Sequence, residues 1–182
     1  SFSGNGSEKS RICRLNIKPC QSIRCWKRSR RQASRRASIF CIRTSAFGAK
    51  IVSNTYENGK GTIKFDKPVT SIGEKAFYLN NYLKNIEIPN TVTSIGSQAF
   101  NYSESLTGIT VPESVTEIGE QAFNHCYSLK EVTLPKNITA IKNKAFANCD
   151  RLEKINIPDS VTEIADYAFQ DCAELQEITL PN

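Results

Sequence analysis

Five near-copies of one 23-residue phrase fill the chain from Val69 to its end, and they leave little freedom in how it can fold. The first runs from Val69 to Thr91, VTSIGEKAFYLNNYLKNIEIPNT, and the others restart at Val92, Val115, Ile138 and Val161. The units are 69–91, 92–114, 115–137, 138–160 and 161–182. A fixed period of this length marks a solenoid, in which each copy is one structural turn. Aligned, the copies keep Ile at 72, 95, 118, 141 and 164, Ala-Phe at 76–77 and its equivalents, and Leu at 83, 106, 129, 152 and 175. Two aliphatic columns follow, beginning at Ile86 and Ile88, and then a proline at 89, 112, 135, 158 and 181. One unit holds too few apolar residues to bury a core. Stacked on its neighbours, each column becomes a continuous apolar ladder.

Within a unit, Ile86-Glu87-Ile88 alternates apolar and polar, the pattern of a short half-buried strand. One strand per turn makes the strands parallel, roughly 4.8 Å apart, and Pro89 and its equivalents end them by lacking an amide donor. The segment 73–78, GEKAFY, is too short for a lone helix and reads as a single helical or 3₁₀ turn held by packing. The glycines at 73, 96 and 119 give way to Lys142 and Ala165, so that column should not demand a positive φ.

The consensus V-T-x-I-G-x-x-A-F-x-x-C-x-x-L-x-x-I-x-I-P resembles the BspA-type leucine-rich repeat, and the resemblance covers 69–182. It implies an α/β repeat fold: a right-handed leucine-rich-repeat solenoid with a parallel sheet on its concave face and short helical or 3₁₀ turns. It also implies a non-enzymatic module of a secreted or cell-surface bacterial protein, binding proteins or glycans, as in adhesion.

Upstream of the units the chemistry changes. Residues 1–45 carry a net charge of +11 and nine of the ten arginines, whereas 46–182 carry −5. This arm also holds Cys13, Cys20, Cys25, Cys41, the only tryptophan, Trp26, and the basic run Lys27 to Arg31. Three readings stay open: a tail too polar to order itself, a phosphate-binding arm for nucleic acid, or a segment joined to the repeats by a cloning or reading-frame accident. Nucleic acid is the least favoured partner. The stretch Arg35-Arg36-Ala37-Ser38 resembles a kinase site by chance composition. Residues 46–68 read as an N-terminal cap: Ile63 and Phe65 fall 23 residues before Ile86 and Ile88, as a partial strand beside the first unit, and 51–56 pairs with it as a hairpin. With no methionine, no signal peptide and no apolar run near 18 residues, the chain reads as part of a longer protein, with further repeats expected beyond the open edge at 179–182.

Chemistry is sparse. Cys126, Cys149 and Cys172 recur at the period, but Asn80 and Ser103 share the column, so buried free thiols are expected there rather than disulfides. The cysteine spacing is not that of a zinc site, and no cofactor or metal is expected. His125 is the only histidine; beside Cys126 it lacks an orienting third group for nucleophilic catalysis and reads as an exposed loop residue. The acids Glu163, Asp166, Asp171, Glu174 and Glu177 read as a solvated face, not a calcium loop. Asn101-Tyr102-Ser103 and Asn137-Ile138-Thr139 match the glycosylation sequon. The candidate site is therefore surface: the outward strand columns Asn85, Gly108, Glu131, Lys154, Glu177 and Glu87, Thr110, Thr133, Asn156, Thr179. The competing reading is a structural spacer within a longer array.

Overall fold

Each 23-residue unit makes one coil, because its apolar columns can be buried only by the coils above and below. The computed structural model describes residues 12–17, 43–57 and 60–180. The strand side of the coils carries β5 (Leu83–Glu87), β7 (Gly108–Thr110), β9 (Glu131–Thr133), β11 (Lys154–Asn156) and β13 (Glu177–Thr179). From β7 to β13 these form a parallel ladder without slippage, Ile109 facing Val132 and Lys154 facing both Glu131 and Glu177. The parallel solenoid with its 23-residue period is the expected architecture.

A second ladder was not anticipated. The two-residue strands β4 (Ser71–Ile72), β6 (Ser94–Ile95) and β8 (Glu117–Ile118) pair in parallel, as do β10 (Ala140–Ile141) and β12 (Glu163–Ile164). Their second residue is the invariant isoleucine, buried in the first four coils. Hydroxyl groups stitch this corner: Thr93, Thr116 and Thr162 donate to the carbonyls of Thr70, Thr93 and Thr139, each 23 residues back.

The segment read as a helical turn is instead a flat arc of successive turns. The one 3₁₀ turn among the described residues is Thr44–Phe47. In every coil two arc residues are left-handed, Lys75 and Leu79 in the first, and their equivalents through Tyr167 and Asp171 in the last. A left-handed residue reverses the local curl, so the backbone cannot close a helix. The amides of Lys75, Phe77 and Leu79 reach the carbonyls of Ser97, Ala99 and Asn101 in the next coil at 3.0, 2.7 and 2.9 Å. Those of Ala76, Tyr78 and Asn80 bond back within their own coil. The arc is thereby hydrogen-bonded along the stack like a sheet.

The glycine column follows the expectation of no positive φ; at the glycines themselves the constraint is local crowding, since Lys142 and Ala165 carry a Cβ at the equivalent positions. A Cβ on Gly96 would lie 2.7 Å from the Glu74 amide nitrogen, and one on Gly119 would lie 2.5 Å from that of Ser97. Inside the arc the phenylalanines stack face to face, with centroid separations of 5.1, 5.2, 5.3 and 5.7 Å from Phe77 to Phe169. Phe47 closes this column at its first coil, edge-on to Phe77 at 5.7 Å and against Phe65 at 5.1 Å.

The N-terminal sheet has the order β2–β3–β1–β5, with β1 (Ile12–Ile17), β2 (Ile51–Glu57) and β3 (Lys60–Phe65). The hairpin of β2 and β3 forms, and Ile63 and Phe65 are buried. However, β3 is not the neighbour of β5. Strand β1 lies between them, antiparallel to both. An isolated strand in an arginine-rich segment carries no period to announce it, which is why it was not expected. Cys20, Cys25, Cys41, Trp26, the run 27–31 and the stretch 35–38 lie outside the described residues, as do the side chains of 12–17 and residues 181–182.

Candidate functional site

On the strand face the alternation of β-structure sends Ile109, Val132 and Ile155 inward and their neighbours outward. Asn85, Glu131, Lys154 and Glu177 are exposed, as are Glu87, Thr110, Thr133, Asn156 and Thr179. Lys154 stands between Glu131 and Glu177 in register, and Thr110 is opposite Thr133. Gly108 departs from the expected set. It is buried, because the Glu131 side chain lies over it, with its Cγ 3.3 Å from where a Cβ would stand. At the margin Lys130 pairs with Glu153 at 3.4 Å. The face thus brings nine of the ten predicted side chains to solvent in two straight rows.

The three thiols of the repeat column, among the described residues, are not placed as nucleophiles. Cys126, Cys149 and Cys172 are free and donate to the carbonyls of Phe100, Phe123 and Phe146 at 3.3, 3.3 and 3.1 Å. Ser103 does the same to Phe77 at 3.0 Å, so the column selects a small buried donor and not sulfur as such. Burial pushes all three thiols up, far above the usual range for Cys126 and Cys149, and keeps them protonated.

His125 is not the exposed loop residue expected. Its ring stacks on Tyr102 at 4.2 Å and 16°, and its Nδ1 is 2.9 Å from the Tyr127 hydroxyl. Tyr78 adds an edge contact to Tyr102 at 6.2 Å. Desolvation lowers the imidazole below its ordinary value, Asp150 and Glu104 opposing and Lys144 assisting. Tyr102 and His125 stand 23 residues apart in one column, so the period itself sets one ring on the other. Tyr78 and Tyr127 lie in other columns, and the period does not signal their part in the cluster.

Of the two sequons, Asn101 is 3% exposed and Ser103 is fully buried, whereas Asn137 is exposed and gives its Nδ2 to the Glu113 carbonyl at 3.1 Å. The first cannot be glycosylated in the folded chain. The acids of the last unit are all exposed. Among the described residues no three His, Cys, Asp or Glu side chains gather to hold a metal ion, and no helix is long and apolar enough to cross a membrane.

Residues 49–176 match the sequence profile of the BspA type leucine-rich repeat region in six copies. The match starts upstream of the five units and so takes in the partial unit bearing Ile63 and Phe65. A leucine rich cell surface protein from Faecalibacterium prausnitzii A2-165 is 36% identical, with a TM-score of 0.51, over 52% of this chain and 25% of that one. A T. pallidum leucine-rich repeat protein is 36% identical, with a TM-score of 0.62, over 64% and 54%. A leucine-rich repeat protein from Eubacterium ventriosum ATCC 27560 is 27% identical, with a TM-score of 0.58, over 62% and 31%. The chain therefore spans between a quarter and about half the length of these structures. The comparison with curated proteins found no match.

Proposed function

The chain belongs to the BspA-type leucine-rich repeat family, and from that premise we propose that it is a non-enzymatic binding module of a secreted or surface-displayed bacterial protein, holding a protein or glycan ligand on its strand face. The observation that carries this reading is the pair of exposed rows. Side chains repeated at the strand spacing, on a backbone held on both flanks by coil-to-coil hydrogen bonds, give a rigid extended surface that loses little entropy on binding. A similar chain from Faecalibacterium prausnitzii is described as a cell surface protein, which supports the location.

Adhesion follows if the rows engage a matrix protein or a surface glycan. The test is a glycan and matrix-protein array probed with the wild-type chain and with the exchange Glu131→Lys plus Lys154→Glu. That exchange preserves net charge and inverts the order along the row. At least one ligand should be lost or weakened about tenfold, the effect of removing a charged contact or two. Unchanged binding to every ligand on the array sinks the strand-face reading.

The last described coil favours a second role beside the first. Ile164 and Leu180, core residues in the earlier coils, are 45% and 59% exposed, and every residue of β13 is exposed. A further coil of the same pattern would cover both, making these units also a spacer in a longer array. Appending one consensus unit after residue 182 should raise the thermal midpoint. No rise would remove that role.

A further inference from the structure

The strand side of the stack has one irregular step. From β7 to β13, strands 23 residues apart pair directly and in parallel, with Ile109 opposite Val132 and Ile155 opposite Ile178. Strand β3 stands in the same relation to β5, since Ile63 and Phe65 lie 23 residues before Ile86 and Ile88, and the six-copy match to the family begins upstream of it, at residue 49. Here, however, β1 is wedged between the two. Because β1 is antiparallel to both, β3 and β5 are parallel to each other and already run in the direction that direct pairing needs. Their register across the wedge is displaced. Arg14 is opposite Thr62 on one side and Glu87 on the other, and Leu15 is opposite Gly61 and Ile86. Thr62 is thus level with Glu87, 25 residues on, where the repeat sets 23. Two residues are one full period of a strand, so a slide of that size keeps the buried pair Ile63 and Phe65 on the core face. The connection fits as well: three residues separate Phe65 from Val69, as three separate Ile88 from Val92.

We propose that residues 12–17 are a removable strand, and that on its departure β3 slides by two residues and pairs with β5 in parallel at the 23-residue register. Departure exchanges two antiparallel rows of backbone bonds for one parallel row, and the released segment regains its backbone entropy. The two arrangements bury the same face of β3, so they compete as alternative packings of one sequence. Closing adds a rung to the strand face. Thr62 and Lys64 lie 23 residues before Asn85 and Glu87, so they join the two outward rows that β1 otherwise interrupts. Segment 12–17 thereby sets where the strand face begins, and the closure itself does not depend on that face holding a ligand.

Amide hydrogen exchange on the full chain tests this with no ligand present. A strand flanked on both sides, as β1 is, opens with its neighbours when the sheet is one cooperative unit. If β1 leaves while β3 and β5 re-pair, its amides should exchange faster than those of both neighbours, by about tenfold or more. A smaller difference, the behaviour of a sheet that opens as one, overturns the proposal. The variant Arg14→Pro with Leu15→Pro gives a second readout. Successive amides in a strand point to opposite sides, so the two prolines remove one donor to each neighbour and bar the segment from an interior position. Nuclear Overhauser contacts of 14–16 with 60–62 and 85–87 should vanish, and contacts of Ile63 with Ile86 and of Phe65 with Ile88 should appear. Loss of β1 with β3 and β5 left unpaired, pairing at another register, or β1 contacts that survive both prolines each overturns the assignment. If the variant does not fold, the exchange rates of the wild-type chain decide.

Discussion

Replacing Phe123 by leucine isolates what the aromatic ladder contributes. Phe123 is fully buried and stacks on Phe100 at 5.2 Å and on Phe146 at 5.3 Å, both within a few degrees of parallel. Leucine keeps most of the apolar burial and removes both ring pairs. At about 0.5–1.5 kcal/mol per pair beyond area, the loss is about 1–3 kcal/mol. Phe169 has one stacked neighbour in the ladder, Phe146 at 5.7 Å, and is only partly buried. Phe169→Leu should therefore cost about 0.5–1.5 kcal/mol at most on the same basis. With a urea slope of about 2 kcal/mol/M, the midpoint should fall by about 0.5–1.5 M for Phe123→Leu and by half that or less for Phe169→Leu. The comparison holds while the slope is unchanged, because a broken coil can uncouple its neighbours. Amide exchange adds a second readout: coils 92–114 and 138–160 should lose protection together in Phe123→Leu. Equal midpoint shifts for the two variants refute stacking as the source of the interior coils' advantage.

Gly96→Ala should cost about 1–3 kcal/mol in the same assay, because the new Cβ meets the Glu74 backbone at 2.7 Å and backbone cannot yield as a side chain does; a neutral result would mean the corner opens freely. Cys149→Ser should stay within about 1 kcal/mol of wild type, as Ser103 shows the hydroxyl fits, whereas Cys149→Ala leaves the Phe123 carbonyl without its donor and should cost about 1–2 kcal/mol. Identical losses would deny the column its donor role. The pH response follows from His125, whose folded value lies below the usual imidazole value of about 6.5 through burial. Its contribution is complete above that unfolded value and is lost as pH falls through the lower folded one. The urea midpoint should drop from pH 7.5 to 5 by less in His125→Gln than in wild type, and an NMR titration placing His125 above about 6.5 would reverse the sign.

The columns that build the core were plain in the amino-acid order because a stack repeats each contact five times. Ile72, Phe77 and Leu83 each specify a rung, and Ile86-Glu87-Ile88 has the two-residue alternation of a strand. The second ladder was hidden because Ser71–Ile72 is too short to alternate. The arc was misread as helical since its left-handed positions are filled by Lys75, Gln98 and Tyr102 rather than by glycine. The strand rows were legible down to the side chain except at Gly108, where Glu131 of the next coil decides exposure. The aromatic cluster was legible only in part: Tyr102 and His125 share a column at the 23-residue period, whereas Tyr78 and Tyr127 occupy other columns and only coil stacking brings them to that pair.

The hydroxyl rungs that run from Thr116 to Thr93 and from Thr93 to Thr70 have a bearing on how such a protein changes length. Each rung ends on a backbone carbonyl, which every residue possesses, and none needs a particular partner side chain. A coil can then be duplicated or deleted as a whole and its neighbours rejoin through the same bonds. Reach becomes a countable property, adjusted by roughly 4.8 Å per coil, while the sites built from individual side chains travel along the stack with the coils that carry them.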